Sequence, residues 1–517
     1  MQADQPPFLP MARPPAIHAL AAPQHGSIPL VAESHGYRYL VTGNTLLSDQ
    51  HIHKILAQAA DPQTAVGTLS AAYRKEGYFL VAVTAKVEGK QIRIMVIQGQ
   101  ITDKNISSDL GWFYTGLNGE DLTESTIIRR NILAGAYSTR NGQQLQVSFA
   151  PAGNPGGSAL NVGTKTLPDY QVIGGNLLFG NYGSRYSSRF LAGASVYMRP
   201  GYGLELDANF SGGLPSLTSA SQGSSYYQSS LGLSSITPWG TYGFTAGYTH
   251  YRIGKVAAPL YPTGNIYTYA LTGSQLIFAD IDTRISVNEG LARTSNVVKV
   301  FDGIYTLTDQ KYNYYTLGTT YSRSLHIRGF NGANTFAVNY NQGISGRHGT
   351  LVSNVPGAPT PQFRYLTFND SFTQGLPLGM TMQFTGSGQW SFDTLPQNQQ
   401  WVVGGFGNLS AYYPGLLVGD SGYAGRLMFQ SPGIQRYGIT LTGSLFCETA
   451  GVTSNYLLPG QAPWQSLWDI GAGLNVSTRW GTTLSVVSAL PVGHNNVSTS
   501  LRDSNRVDAY FILQQSF

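Results

Sequence analysis

The sequence is poor in charge and lacks any long apolar run. Only 11% of the 517 residues are charged, whereas water-soluble domains carry about 25%. No apolar run reaches the roughly 18 residues that a membrane-spanning helix needs, and the short run at residues 79–83 is typical of those present. This combination predicts a transmembrane β-barrel, because apolar side chains are then needed only at every second position, on the lipid face of each strand.

Other features that the sequence has little of exclude further classes of protein. Its single cysteine, Cys447, rules out an intrachain disulfide and a cysteine-rich metal site, and we expect it to be a small strand side chain. The net charge is 31 − 26 = +5, and the basic residues are scattered, so no patch predicts a nucleic-acid partner. No cofactor is indicated. Residues 1–5 have neither the basic start nor the apolar core of a signal peptide, so we expect a mature chain.

Alternation with a period of two is what the sequence has in abundance. In residues 506–517, one face carries Val507, Ala509, Phe511, Leu513 and Phe517. The opposite face is mostly polar, and the chain ends on the aromatic Phe517. This segment predicts the closing strand of an outer-membrane barrel. A single half-buried strand of any protein would alternate in the same way, so the prediction depends on the repetition of the pattern upstream.

The same pattern continues through residues 169–517. At roughly 20 to 24 residues per strand and connection, this length gives about 14 to 18 strands, with 16 as the central estimate. The alternation predicts a lipid-facing position for Phe244, Tyr248, Phe384, Ile439 and Leu441. The predicted fold class is therefore mainly β, with a C-terminal antiparallel transmembrane barrel.

Two small α/β modules are predicted ahead of the barrel. Residues 1–36 are rich in proline and are typical of a linker or a poorly ordered arm. Residues 37–102 give the order β-α-α-β-β, with Ser48 as the expected N-cap of the first helix. Residues 103–168 form a second copy of this order, whose helix is expected to open with a capping box at residues 121–124.

The order of these parts, together with several short motifs, resembles the transporters of two-partner secretion. These outer-membrane barrels export filamentous haemagglutinins and haemolysins, and they belong to the superfamily of barrels that carry POTRA modules. The resemblance covers residues 37–517. The motifs that carry it are Gly43-Asn44-Thr45, Tyr73-Arg74-Lys75-Glu76-Gly77-Tyr78, Gln98-Gly99, the stretch 149–160, Asn181-Tyr182-Gly183, Gln389-Trp390-Ser391, Leu395-Pro396, the stretch 400–405 and Gly419-Asp420-Ser421-Gly422-Tyr423.

One motif of the family departs from its pattern in the sixth extracellular loop. The family has Val-Arg-Gly-Tyr or Val-Arg-Gly-Phe there, and its arginine pairs with the aspartate of a Phe-x-Asp motif on the inner wall. The corresponding residues here are Leu409, Ser410, Ala411 and Tyr412 before Gly419 and Asp420 in the loop, and Phe446 and Glu448 on the wall. Because Ser410 cannot supply a positive charge, Glu448 must find another partner, meet water or be partly protonated.

The departure leads to an expectation about how the sixth loop is held. A hydrogen bond from serine to a carboxylate is weaker than a bidentate arginine pair. We therefore expect Tyr412 and Tyr413 to supply much of the anchoring by packing near Phe446. We also expect a more mobile loop and a leakier resting pore than the arginine-bearing pattern would give.

The resemblance implies a protein-export function for the chain. The partner would be a secreted protein, large and β-helical, with outer-membrane lipid around the barrel and the barrel-assembly machinery needed during biogenesis. The modules would lie in the periplasm and capture the unfolded partner by addition of a strand to an exposed sheet edge. The candidate capture edges are Tyr78, Val81 and Val83 in the first module and Leu145, Val147 and Phe149 in the second. Ordinary packing between the modules is the alternative for these edges.

Two other functions are alternatives to export. A barrel-assembly insertase of the same superfamily would typically carry more modules and an intact loop arginine. A barrel enzyme would need a catalytic arrangement, and Gly419-Asp420-Ser421-Gly422 resembles a serine-protease motif only in letters, without a matching His and Asp. We therefore expect no enzyme activity.

Two further patterns have structural interpretations. Ile327-Arg328-Gly329-Phe330 matches the missing loop motif but is predicted to be a hairpin turn. His51 and His53 are two residues apart on a helix, do not share a face and predict no metal site.

Overall fold

The computed structural model describes residues 29–117, 122–152, 157–218, 222–350, 357–457 and 459–517. Most of the proline-rich stretch and position 121 of the expected capping box lie outside these ranges. The chain divides into two compact units. One consists of the described residues up to Tyr170 with Ile236–Trp239 and Phe278–Ile281, and the other of Gln171–Ser235, Gly240–Ile277 and Asp282–Phe517.

The first sheet has four strands in the order β1-β2-β4-β3 and two helices against it. Its elements are β1 (Leu30–Ser34), β2 (Tyr37–Thr42), α1 (Asp49–Gln58), α2 (Pro62–Lys75), β3 (Ala82–Glu88) and β4 (Gln91–Ile97). β2 and β4 are parallel, and the outer pairs are antiparallel. The core includes Tyr39, Ile52, Leu69 and Ile92, all fully buried.

The two helices begin where their capping residues dictate. Ser48 accepts a hydrogen bond from the backbone N–H of His51 at 3.3 Å, which confirms it as the N-cap of α1. Asp61 caps α2 by accepting from the backbone N–H of Thr64 at 2.8 Å. This bond, and a second from the Thr64 hydroxyl, hold the pKa of Asp61 below its ordinary value.

Two boundaries of the first sheet differ from the sequence-based expectation. β1 pairs with β2, so the sheet begins inside the stretch 1–36 that was predicted to be an extension. β3 begins at Ala82, whereas the predicted capture edge of this module began at Tyr78. The predicted edge residues Tyr78 and Val81 therefore precede the strand, and their side chains pack against the first core.

The second sheet has three strands in the order β5-β7-β6. Its elements are β5 (Gln100–Ile106), α3 (Glu124–Arg140), β6 (Gln143–Pro151) and β7 (Gly157–Thr166). β5 and β7 are parallel, and β6 and β7 are antiparallel. Thr123 caps α3 by accepting from the backbone N–H of Thr126 at 3.4 Å. Each of the two sheets thus contains one parallel pair and an antiparallel edge strand, although the described part of the second module has a single α-helix where the repeated order predicted two.

The second unit is a closed antiparallel barrel of 16 strands, counted over the described residues. Its strands are β8 (Ile173–Gly180), β9 (Leu191–Gly201), β10 (Leu204–Gly213), β11 (Ser225–Ile236), β12 (Thr241–Arg252), β13 (Thr263–Ala279), β14 (Thr283–Val300), β15 (Tyr305–Ile327), β16 (Phe330–Thr350), β17 (Arg364–Gly375), β18 (Thr381–Ser391), β21 (Ser421–Gln430), β23 (Ile439–Thr453), β24 (Gln465–Thr478), β25 (Thr482–Asn495) and β26 (Tyr510–Ser516). Three short strands are β19 (Trp401–Val403), β20 (Leu417–Gly419) and β22 (Ile434–Arg436), and the helix α4 (Thr499–Ser504) lies between β25 and β26.

The barrel closes where β26 pairs antiparallel with β25 on one side and with β8 on the other. The prediction that the C-terminal segment is the closing strand is confirmed, but its start was placed too early. The strand begins at Tyr510, and Val507 is buried against loop residues instead of taking part in a ladder. The predicted turn at Arg328-Gly329 is also confirmed, since both residues have positive φ, as a tight two-residue hairpin turn requires.

The two faces of the barrel wall can be distinguished by register. Phe446 and Glu448 of β23 point to the enclosed side, so the alternate residues Ile439 and Leu441 lie on the outer face. Register also places Phe384 outside, opposite Leu427. All three outer residues are exposed, as expected of lipid-facing positions. No helix in the described part of the chain is long and apolar enough to cross a membrane.

Candidate functional site: the seat of the sixth loop

The sixth loop, residues 392–420, connects β18 to β21 and folds back against the inner wall of the barrel. β19 and β20 pair within it, Val402 opposite Val418, and so present residues 404–416 as a tip. The tip is deeply buried: Ser410 is 1% exposed, and Ala411 is fully buried. The residues that replace the family's arginine motif therefore lie in the most enclosed part of the loop.

A glycine pair allows the tip to turn sharply. Gly404 and Gly405 have φ of 103° and 107°, values that residues other than glycine rarely adopt. The backbone N–H of Gly405 donates to the Tyr412 carbonyl at 2.9 Å, and the N–H of Leu409 donates to the Gly405 carbonyl at 3.1 Å. Ser410 and Ala411 follow this turn, so their N–H groups are free to bond to the barrel wall.

Two carboxylates on neighbouring strands receive these N–H groups. The backbone N–H of Ser410 donates to Glu448 Oε2 at 2.5 Å, and the Ser410 hydroxyl donates to Glu448 Oε1 at 3.1 Å. The N–H of Ala411 donates to Asp469 Oδ2 at 2.8 Å. Glu448 and Asp469 lie directly opposite each other on β23 and β24 and are 2% and 1% exposed. The Ser410–Glu448 hydrogen bond that the sequence left as a possibility is therefore present, and a second carboxyl group extends it.

We call Glu448, Asp469 and the wall residues around them the seat of the loop tip. The positive charge at the seat comes from the barrel wall. Arg426 lies directly opposite Glu448 across β21 and β23, and its Nε is 3.4 Å from Glu448 Oε1. Its guanidinium also lies over the Phe446 ring, 4.3 Å from the centroid. Of the alternatives left open for Glu448, the structure thus provides another charged partner.

A second set of contacts holds the tip from the opposite side. The backbone N–H of Tyr413 donates to the Asn505 carbonyl, and that of Val507 donates to the Ala411 carbonyl, at 2.8 and 2.9 Å. The buried Tyr510 hydroxyl donates to the Tyr412 carbonyl at 2.7 Å. The tip is therefore held between two wall strands and the segment that leads into the closing strand.

The two tyrosines of the tip have different environments. Tyr412 is 1% exposed and belongs to the same apolar cluster as Phe446, as predicted. Tyr413 packs instead with Val507 and Tyr510, so the expectation that it lies near Phe446 is wrong. The segment before β26 and the first residue of β26 take the place of the wall near Phe446 for this side chain.

The Gly-Asp motif fixes the base of the loop. Asp420 is 1% exposed and accepts hydrogen bonds from the backbone N–H groups of Leu395 at 2.8 Å and Asn455 at 2.9 Å. A side chain at Gly419 would collide with the Thr453 carbonyl. Ser421, the serine of the protease-like letters, accepts from the backbone N–H of Ser391 at 2.9 Å. This motif therefore joins the loop base to neighbouring backbone.

Arg426 and Asp469 were missed because their partners are far away in sequence. One signal was available, since only 11% of residues are charged and both lie in the middle of alternating strands. A charge in such a place has to face a polar lumen or a partner. Which partner it meets depends on strand register, which alternation alone does not give.

The predicted capture edges form a second candidate site. β3 and β6 are each the last strand of their sheet, so one side of each strand has no neighbour in that sheet. Val83 lies in β3 but packs on the first core. In β6, Val147 is buried in the second core, with Leu145 and Phe149 packed against it. The side chains are therefore used in ordinary packing, and only the strand backbones remain as docking elements.

Described residues contain no group of three or more His, Cys, Asp or Glu that could hold a metal ion. His53 is exposed on α1, as is His51. Cys447 is exposed and lies on the outer face of β23. The chemistry that the arrangement supports is the reversible holding of a loop by hydrogen bonds and packing.

The comparisons with known proteins give one family and two well-matched structures. The model of the haemolysin secretion/activation proteins ShlB/FhaC/HecB matches residues 156–448. The structure of CdiB from Escherichia coli is similar with a TM-score of 0.76 at 16% identity, over 98% of this chain and 94% of that one. CdiB from Acinetobacter baumannii gives a TM-score of 0.70 at 15% identity, with the same two coverages. A search of curated proteins by sequence gave no match.

Proposed function

Since this chain belongs to the family of haemolysin secretion/activation proteins ShlB/FhaC/HecB, we propose that the seated sixth loop is the gate of its export pore. The chain is an outer-membrane transporter that exports a secreted partner protein. The observation that carries the gate is the seat itself, because the loop tip lies inside the barrel on hydrogen bonds that can be broken and remade. Passage of a polypeptide requires the tip to leave this position.

The modules supply the capture step. They lie in the periplasm and bind an extended segment of the unfolded partner along β3 or β6. Both strands are sheet edges, and added strands bind through main-chain hydrogen bonds that any sequence can make. Because the inward side chains of β6 are already used in core packing, recognition there depends on the backbone and on the exposed side chains.

Folding of the partner outside the cell biases its movement outward, so the mechanism needs no nucleotide. The partner is a large protein that folds into a β-helix after export. Outer-membrane lipid surrounds the outer face of the barrel, and the barrel-assembly machinery inserts it.

The export function is tested by complementation. In a strain that lacks the transporter, the whole chain should restore secretion of its partner protein. Cells that produce a correctly inserted chain but keep this protein in the periplasm would contradict the proposal.

The capture edge is tested separately, with two exposed valines on opposite edges of the same sheet. A photoreactive amino acid replaces Val87 in β3 or Val31 in β1. During export we expect the β3 probe to cross-link to the partner and the β1 probe to give little product. Equal labelling from both positions would refute docking on β3 while leaving the export function intact.

A further inference from the structure

Three ionisable side chains form a row across the barrel wall beneath the loop tip. Arg426 on β21, Glu448 on β23 and Asp469 on β24 occupy directly opposed positions in the two ladders. Glu448 and Asp469 receive the loop, through Ser410 and Ala411. Arg426 lies at the end of the row, where it pairs with Glu448.

The ion pair of this row lies entirely within the wall. β21 and β23 are joined over ten opposed residue pairs, Ser421 opposite Thr453 to Gln430 opposite Ser444. Arg426 is further held by the Phe446 ring. Because both partners belong to paired wall strands, the ladder sets the position of Arg426 relative to Glu448.

The loop contributes only neutral donors to the same carboxylates. They are the N–H and hydroxyl of Ser410 and the N–H of Ala411. When the tip leaves, these hydrogen bonds break and lumen water can replace them. No pair of opposite charges is separated, because the cation of Glu448 remains on β21.

We propose that Arg426 is a positioning residue that moves the charge compensation of Glu448 from the loop to the wall, so that the gate opens without splitting an ion pair. The inference rests on the proposed gate. It explains how a serine can occupy the loop position, since the carboxylate keeps a cation whether the tip is seated or not.

The cost of opening the gate depends on whether the cation that pairs with Glu448 lies on the loop or on the wall. If the cation were on the loop, each opening would separate a buried pair of opposite charges, which costs more than breaking neutral hydrogen bonds. A gate of that kind stays shut more firmly. With the cation on the wall, opening depends on the neutral hydrogen bonds and on packing of the tip.

The main test transposes the charge in the full-length protein. The variant Ser410→Arg/Arg426→Ser is compared with the natural chain in planar lipid bilayers, where each opening of the pore is recorded. We expect openings of the transposed variant to be at least tenfold less frequent, because its ion pair must be split. Equal or greater opening frequency in the transposed variant would overturn the proposal.

A second measurement keeps the test decisive if the transposed variant does not fold. The temperature at which the barrel loses its fast-migrating folded form on gels is measured for Arg426→Gln, Glu448→Gln and the double variant. Removing one member of a buried pair leaves the other uncompensated, whereas removing both does not. We therefore expect each single variant to melt earlier and the double variant to recover much of the loss.

The gel experiment also shows whether Arg426 only fills space at the seat. If Arg426→Gln lowers the melting temperature by the same amount with and without Glu448→Gln, the two residues are independent and Arg426 is no partner of Glu448. Lys311→Gln on β15, outside the seat, serves as the control for loss of a basic side chain.

Discussion

Removing one oxygen atom from the seat should make the pore open more often. The hydroxyl of Tyr510 donates to the Tyr412 carbonyl at 2.7 Å, and Tyr510 is fully buried. In Tyr510→Phe the ring keeps its edge contacts with Tyr413 and Phe406, whose centroids lie 6.3 and 6.1 Å away. The Tyr412 carbonyl keeps its bond from the Gly405 N–H. The change therefore isolates a single hydrogen bond between the closing strand and the tip.

The expected size of the effect follows from the worth of that bond. A neutral hydrogen bond contributes about 1 kcal/mol net, and every ~1.4 kcal/mol is a factor of ten in an equilibrium constant. The carbonyl is not orphaned in the variant, so no larger desolvation penalty is expected. The ratio of open to closed time should thus rise about fivefold, on the scale set by these two constants.

The assay is single-pore recording of the purified protein in planar bilayers. Tyr315→Phe is the matched control, because its hydroxyl donates to Gln342 Oε1 at 2.8 Å on the barrel wall, away from the loop. The control should lose a similar bond without altering the open time. If Tyr510→Phe and Tyr315→Phe both behave like the natural chain, this bond does not hold the gate.

Two further outcomes are expected. Tyr412 and Arg506 face each other in an antiparallel bridge between flanking hydrogen bonds, a close pairing suited to a disulfide. The variant Tyr412→Cys/Arg506→Cys in a Cys447→Ser background should therefore block both opening and export until a reductant is added. Export by the oxidised form would show that the tip need not move. Deletion of residues 37–168 should leave a barrel that still inserts, as judged by heat-dependent gel migration, but exports nothing, and normal secretion by this form would refute the capture role.

Much of the barrel could be predicted because its signal is local. Side chains of a strand alternate with a period of two, whatever lies elsewhere in the chain, so Ile439 and Leu441 could be placed on the outer face before any pairing was known. The strand count followed from length. The same local signal misplaced the start of the closing strand, because Val507 alternates in sequence with Phe511 but is taken up by the sixth loop.

The seat was only half predictable, and the missing half is a matter of register. Ser410 and Glu448 could be paired by their resemblance to a family motif. Arg426 and Asp469 come next to Glu448 only once β21, β23 and β24 are aligned. A shift of either ladder by one residue would turn these side chains to the other face, so no pattern along a single strand could place them.

The double attachment of the tip has a consequence for the order of assembly. The backbone of Ala411 is hydrogen-bonded to Asp469 on one side and to Val507 on the other. Val507 comes just before β26, the strand that closes the barrel by pairing with β8. The loop tip can therefore be fully held only after the segment that leads into β26 has reached it. A newly inserted barrel in which β26 has not yet paired with β8 lacks the Tyr510 bond and half of the bonds around Ala411, so we expect its loop tip to be the last part to reach its final position.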